Sequence, residues 1–353
     1  MSARILSLAT ACPSRAWSRD EALALTTRRA DAGSRESRQL AVMHRGSGVR
    51  QRFLVADETL YGDVEPDTGE RMAWYARHAP PLALRAAQSA LRDGTLDAHS
   101  ITHLVTVSCT GFAAPGVDIR LIQDLGLEPT VQRTHVGFMG CHGLLNGLGA
   151  AAAFAREPGA RVLVCAVELC SLHLRYGWDP ERLVSHALFG DGAAALVVGA
   201  ASSESSPAHA GASWELVARG SCLLPNSTDA MSWNVGALGF EMTLANRVPD
   251  DIARHLRPWL DAWLAAHGCS VDDVTDWAIH PGGPRILDAV ASCLELPAEA
   301  TAVSRAVLAE HGNMSSPTVA FVLERQRRLG LRGPCVALAF GPGLAAEALL
   351  LRP

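Results

Sequence analysis

Val136-Gly137-Phe138-Met139-Gly140-Cys141 is the stretch on which the fold turns. A strand over about 131–136 runs into two glycines and a cysteine, and an Ala/Leu/Gly-rich helical pattern opens near His142. Strand, tight turn and helix form the repeating unit of α/β proteins. The glycines let the backbone turn beneath the thiol. A cysteine at a helix N-terminus faces unpaired N–H groups and the positive end of the helix dipole, which predicts a stabilised thiolate.

The same alternation extends in both directions. Strands are predicted over His103–Cys109, Arg161–Val167, Ala194–Gly199, Trp277–His280 and Val336–Phe340. Helices are predicted over Val117–Leu125, His142–Arg156, Asp250–His267, Arg285–Leu294 and Pro317–Leu329. The strands are almost continuously apolar, the pattern of sheets covered by helices on both faces. A small polar run, 201–209, reads as the connection between a half over 1–201, which carries the cysteine, and a half over 202–353.

Two segments of the second half carry chemistry. An apolar stretch, Val274–Ile279, leads into His280-Pro281-Gly282-Gly283-Pro284, and His311-Gly312-Asn313-Met314-Ser315-Ser316 precedes a helix. Cys141, His280 and Asn313 each stand at the tip of an element, where catalytic groups are mounted. They supply a nucleophile, a proton shuttle and an amide that donates without adding charge. Asn313 also suits an N-cap. His135, His142 and His186 read as structural; His142, adjacent to Cys141 on a helix, points in a different direction.

Composition narrows the classes further. The chain has 353 residues, 48% of them hydrophobic and 19% charged, with a net charge of −5. That is a globular protein with no electrostatic reason to bind nucleic acid. It contains no lysine, which excludes Schiff-base aldolases, pyridoxal-phosphate enzymes and P-loop nucleotide hydrolases. It also has no Gly-x-Ser-x-Gly elbow. No apolar run reaches the ~20 residues of a membrane span, and the N-terminus lacks a signal-peptide pattern. The nine cysteines are scattered with no C-x-x-C pair, so neither a metal site nor a disulfide framework is expected. A reduced, cytoplasmic protein is the expectation.

Taken together, the blocks resemble the type III polyketide synthases, the chalcone-synthase-like branch of the thiolase superfamily, over nearly the whole chain. The resemblance rests on Gly140-Cys141, on Ala187-Leu188-Phe189-Gly190-Asp191-Gly192-Ala193-Ala194-Ala195, and on His280-Pro281-Gly282-Gly283-Pro284. Gly312-Asn313-Met314-Ser315-Ser316 and Phe340-Gly341-Pro342-Gly343-Leu344 complete it. Ala339 departs from the glycine that usually precedes the last block, a change that bears on cyclisation geometry.

The resemblance implies a duplicated thiolase fold with αβαβα layers and a homodimer in which Ala113-Ala114-Pro115-Gly116 reaches the other subunit's cavity. It implies that Cys141 is acylated by a starter acyl-CoA and that His280 holds the thiolate as an imidazolium partner. His280 and Asn313 would then stabilise the enolate left when malonyl-CoA loses CO2. CoA thioesters are the implied substrates, with no metal or prosthetic group. Phe189 and Phe240 match gatekeeping rings, and Cys170, His173, Met231 and Ser315 match pocket-shaping positions. Arg285 matches a CoA-phosphate position, and Arg38, Arg45, Arg50 and Arg52 crowd a second one.

Gly140-Cys141-His142-Gly143-Leu144-Leu145-Asn146-Gly147 is similar to bacterial alkylresorcinol and alkylpyrone synthases, which implies an apolar tunnel for medium-to-long acyl starters. Met231 points the other way, towards short or aromatic starters. Two alternatives stand beside this reading: a single-round ketoacyl synthase of the initiating type, and a non-catalytic acyl-CoA-binding protein. The latter has no need of Cys141.

Overall fold

The structure is a computed structural model that describes residues 3–27, 34–56, 62, 64–176, 180–200, 213–330 and 333–353. Its strands are β1 (Ala3–Ala11), β2 (Ala16–Ser18), β3 (Gln51–Phe53), β4 (His103–Ser108), β5 (Gln132–Gly137), β6 (Arg161–Leu169) and β7 (Asp191–Ala200). They continue as β8 (Trp214–Leu223), β9 (Met231–Gly236), β10 (Gly239–Leu244), β11 (Asp276–Ile279), β12 (Cys335–Gly341) and β13 (Ala345–Arg352). The helices are α1 (Arg19–Thr27), α2 (Arg35–Gly46), α3 (Thr68–Asp93), α4 (Val117–Leu125) and α5 (Gly143–Phe154). After them come α6 (Pro180–Leu188), α7 (Val248–Ala265), α8 (Pro284–Cys293), α9 (Ala302–His311) and α10 (Thr318–Leu329).

Nine strands form one mixed sheet in the order β11-β12-β13-β8-β1-β7-β6-β4-β5. Read outward from the central β1/β8 pair, the two sides repeat one pattern. On the first side β1/β7 and β7/β6 are antiparallel, then β6/β4 and β4/β5 parallel. On the second, β8/β13 and β13/β12 are antiparallel and β12/β11 parallel. That repetition is the duplication expected of the chain.

Side-chain alternation explains why the strands lack a polar face. On β6, Val162, Val164 and Ala166 enter one core, while Leu163, Cys165 and Val167 enter another under α3. On β12, Cys335, Ala337 and Ala339 join the first core, while Val336, Leu338 and Phe340 pack under α7 and α8. The shared core also takes Leu144, Leu145 and Leu148 of α5 and Val319, Ala320 and Val322 of α10. The two arms of the sheet thus face each other across the shared core with α5 and α10 between them. α3 covers one outer face and α7 and α8 the other, so that strands such as β6 and β12 are buried on both faces. Each buried leucine contributes roughly 1.5–3 kcal/mol.

The central helices sit unusually close to the sheet. A Cβ on Gly147 would lie 2.8 Å from Val107 Cγ2, so only glycine permits this approach. α4 spans the predicted residues. The helix predicted from His142 instead opens as a 3-10 turn, Gly140–His142, and becomes α-helical at Gly143. The connection expected over 201–209 lies outside the described residues.

Candidate active site

Cys141 stands in the turn between β5 and α5. The backbone reverses through left-handed residues, Phe138 at φ +57° and Gly140 at φ +69°. The Gly140 N–H donates to Cys109 Sγ at 3.0 Å, which ties the elbow to the loop after β4. Pro342, in the loop after β12, covers its other side.

His280 follows β11 directly, and its N–H donates to the Leu338 carbonyl of β12 at 2.7 Å. Asn313 is fixed by a short parallel bridge to Phe189: its N–H donates to Leu188 O at 2.8 Å, and its carbonyl accepts from Gly190 N at 2.9 Å. It is not the N-cap of the next helix, which begins at Thr318. The Asn313 side-chain oxygen instead accepts from Ser315 N at 2.8 Å and faces Cys141 Sγ at 4.0 Å. Ser315, at φ +57°, turns the chain back. Cys141, His280, Asn313, Phe189 and Met231 thereby border one cavity of about 460 Å³.

The charge state differs from the one expected. Burial pushes the Cys141 thiol up to about 11, with contacts from Ser315 and Asn313 opposing only in part. Burial, together with neighbouring His142, pushes His280 down to about 3. Both His280 ring nitrogens are buried, and among the described residues neither has a hydrogen-bond partner. Both shifts favour the neutral forms, a thiol at Cys141 and an imidazole at His280, over the ion pair expected. Desolvation penalises both ions.

A second cavity of about 710 Å³, partly open to solvent, meets the first at Cys141, Phe189 and Met231. Cys170, His173, Phe240 and Ser315 border it. His173 does more than fill volume. Its Nε2–H donates to Thr110 O at 2.6 Å, and its Nδ1 accepts from Phe240 N at 3.0 Å. Its ring stacks on Phe240 with centroids 4.2 Å apart. Ala339 borders neither cavity; its methyl group is absorbed in the shared core.

Sequence reasoning missed three residues here. Glu168, at the end of β6, is wholly buried and accepts from Cys109 N, Thr110 N, the Thr110 hydroxyl and Ser316 Oγ. Burial raises its pKa, opposed by those hydrogen bonds. It joins the two halves behind the nucleophile. A carboxylate inside an otherwise apolar strand was the available signal. Cys109 and Trp233 also border the second cavity, and nothing in their local sequence sets them apart.

The arginines divide. A surface cavity of about 920 Å³, bordered by Met43, Ser47, Asn246 and Arg285, shares Leu188, Leu244, Gly282 and Ile286 with the cavity containing His280. These shared residues make the surface cavity a candidate way in to Cys141. Arg285 stands on it, donating weakly to Asn246 O at 3.4 Å. Arg38 and Arg45 are exposed on α2, and Arg50 is exposed 3.8 Å from Glu310. Arg52 does not fit the CoA reading. It is 2% exposed and donates to His186 O at 2.6 Å and Phe189 O at 3.0 Å, so it braces the core.

The comparisons agree with this geometry. The family model for chalcone and stilbene synthases matches in both parts, the N-terminal domain over residues 2–202 and the C-terminal domain over 215–353. The alpha-pyrone synthesis polyketide synthase-like Pks18 of Mycobacterium tuberculosis is 37% identical over 294 residues, 81% of this chain and 74% of its own. The 1,3,6,8-tetrahydroxynaphthalene synthase of Streptomyces peucetius subsp. caesius is 38% identical over 316 residues, 88% of this chain and 82% of its own. Among solved structures, PKS-I from the brown alga Ectocarpus siliculosus superposes with a TM-score of 0.92 at 31% identity, covering 99% of this chain and 98% of its own. The chain belongs to the chalcone and stilbene synthase family, and it is a type III polyketide synthase with a thiolase-like fold. It is accordingly an acyltransferase that works on CoA thioesters.

Proposed function

We propose that this synthase loads an acyl group from a CoA thioester onto Cys141, extends it iteratively with malonyl-CoA, and closes the product to a pyrone or resorcinol-type ring. The observation that carries the reading is the convergence of Cys141, His280 and Asn313 on one cavity joined to a surface route through Leu188 and Gly282.

In loading, the Cys141 sulfur attacks the thioester carbonyl while the neutral His280 accepts the thiol proton, and CoA leaves as its thiol with that proton. Malonyl-CoA then loses CO2. The electron pair of the broken C–C bond becomes the enolate, whose oxygen is stabilised by N–H donors from His280 and Asn313. The enolate carbon attacks acyl-Cys141, a C–C bond forms, and the thiolate is released for the next round. Loss of CO2 supplies the carbanion, so the sequence of steps calls for no metal or prosthetic group.

Phe189 separates the cavity of entry from the cavity of growth, and Arg285 meets the CoA phosphates at the mouth. The catalytic set is divided between a half near 1–201 and a half near 202–353. A homodimer is part of the proposal, supported by exposed Phe112, Phe138 and Met139 beside the exposed Ala113–Pro115 segment. A cytoplasmic setting fits the nine free cysteines. Among the described residues no helix is long and apolar enough to cross a membrane.

The test is incubation with acyl-CoAs and malonyl-CoA, followed by mass spectrometry of protein and products. A starter mass on the Cys141 peptide, CO2 release and cyclised products are expected, and Cys141→Ala should abolish the adduct and the products. Acyl-CoA binding without CO2 release would favour a binding protein, and one extension only would favour a single-round ketoacyl synthase.

A further inference from the structure

We propose that Trp233 is the stop that restricts Cys141 to short acyl starters, a conclusion that rests on the synthase reading above. The β9–β10 hairpin pairs Trp233 with Met242 and Val235 with Phe240. Met231, Trp233, Phe240 and Met242 of this hairpin border the cavity of about 710 Å³ that contains Cys141.

The indole borders the same cavity as the nucleophile and is linked to its elbow. Trp233 Nε1–H donates to the Cys109 carbonyl at 2.7 Å, and Cys109 Sγ accepts from the N–H of Gly140, the residue before Cys141. Two contacts separate the ring from the elbow. The wall behind it is fixed. Trp233 meets His173 and Phe240 edge-on, at 5.5 Å and 5.8 Å, and these two stack on each other. Hydrogen bonds from both nitrogens of His173 lock that stack, and Phe112 lies parallel to Phe240 at 6.0 Å. A ring held by a hydrogen bond and two packed neighbours does not swing aside for an alkyl chain.

One part of this otherwise largely apolar wall is polar. The Arg175–Glu241 ion pair, 2.6 Å between Nη1 and Oε1, borders the same cavity, and methylenes against it would gain little. Thr110, Ser185, Ser232 and Ser315 border it too. The cavity then serves extension, while Trp233 limits the starter to short chains. This proposal favours the short-starter alternative that Met231 suggested over the long acyl tunnel implied by the bacterial resemblance.

The test is a kcat/KM series from acetyl- and malonyl- to palmitoyl-CoA starters for the wild type, Trp233→Ala and Trp233→Phe. The wild type should favour the shortest starters and fall at least about tenfold by octanoyl-CoA. Trp233→Ala should move the optimum to longer chains, and Trp233→Phe should move it less. The phenylalanine variant carries the comparison if the alanine variant fails to fold. A wild-type optimum at octanoyl-CoA or longer overturns the proposal, as do variant profiles that overlay the wild type. Absence of CO2 release and product with every starter is a different result: it overturns the synthase reading and this proposal with it.

Discussion

Gly140 and Pro342 are in direct contact across the two halves of the chain: a Cβ built on Gly140 would lie 2.3 Å from Pro342 Cδ. The elbow that presents Cys141 is therefore closed from above by the Phe-Gly-Pro-Gly loop. Two distant sequence blocks meet because each is the end of a strand leading into the same site.

Gly140→Ala should be costly for two reasons. Gly140 is at φ +69°, where a side chain is strained, and its new methyl group would collide with Pro342. A loss of at least ~2 kcal/mol in urea unfolding is expected, with turnover falling because Cys141 is displaced. Adding Pro342→Ala should recover part of the stability. A variant as stable and active as the wild type would contradict the packing.

The resting thiol sets a pH signature. With Cys141 pushed up to about 11, its alkylation by iodoacetamide should rise about tenfold per pH unit from pH 7 towards pH 10. Peptide mapping separates it from the other cysteines. A rate already level at pH 7 would show a thiolate–imidazolium pair in the resting enzyme.

Acid should unfold the protein early. Burial holds His44, His173, His186 and His280 each down near 3. Each is neutral in the folded chain and takes a proton once unfolded below about 6.5. Their stabilisation is full above that pH and is lost as pH falls towards 3, by up to ~1.4 kcal/mol per pH unit per group. Asp191, raised to about 6, and Glu168, also raised, act with the opposite sign but are fewer. Urea midpoints should fall steadily from pH 7 to pH 5; a flat profile would refute this.

Arg285 and Arg52 should separate cleanly. Arg285→Ala should raise KM for malonyl-CoA several-fold, about 1 kcal/mol of lost phosphate contact, with little change in melting temperature. Arg52→Ala leaves two buried carbonyls without their donor, so it should lower stability by ~2–4 kcal/mol. Paired calorimetry and kinetics read both, and an exchange of the two phenotypes would reverse the assignment.

Much of the fold is written locally. Continuous apolar strands required helices on both faces, and the core assignments on β6 and β12 bear this out. Cys141, His280 and Asn313 were readable because each ends an element beside glycines and prolines, which show where the backbone must turn. Arg52 was misread because a buried arginine and a phosphate-binding one have the same local sequence character. What separates them is whether carbonyls such as those of His186 and Phe189, far along the chain, arrive to accept its hydrogen bonds. The thiolate expected at Cys141 is opposed for the same reason: a helix dipole is a local property, whereas desolvation is the sum of everything packed around the sulfur. Sequence by itself determined the elements, their order and the family. Tertiary structure decided charge state, bracing and the shape of the pocket, because those depend on atoms that are neighbours in space but not along the chain.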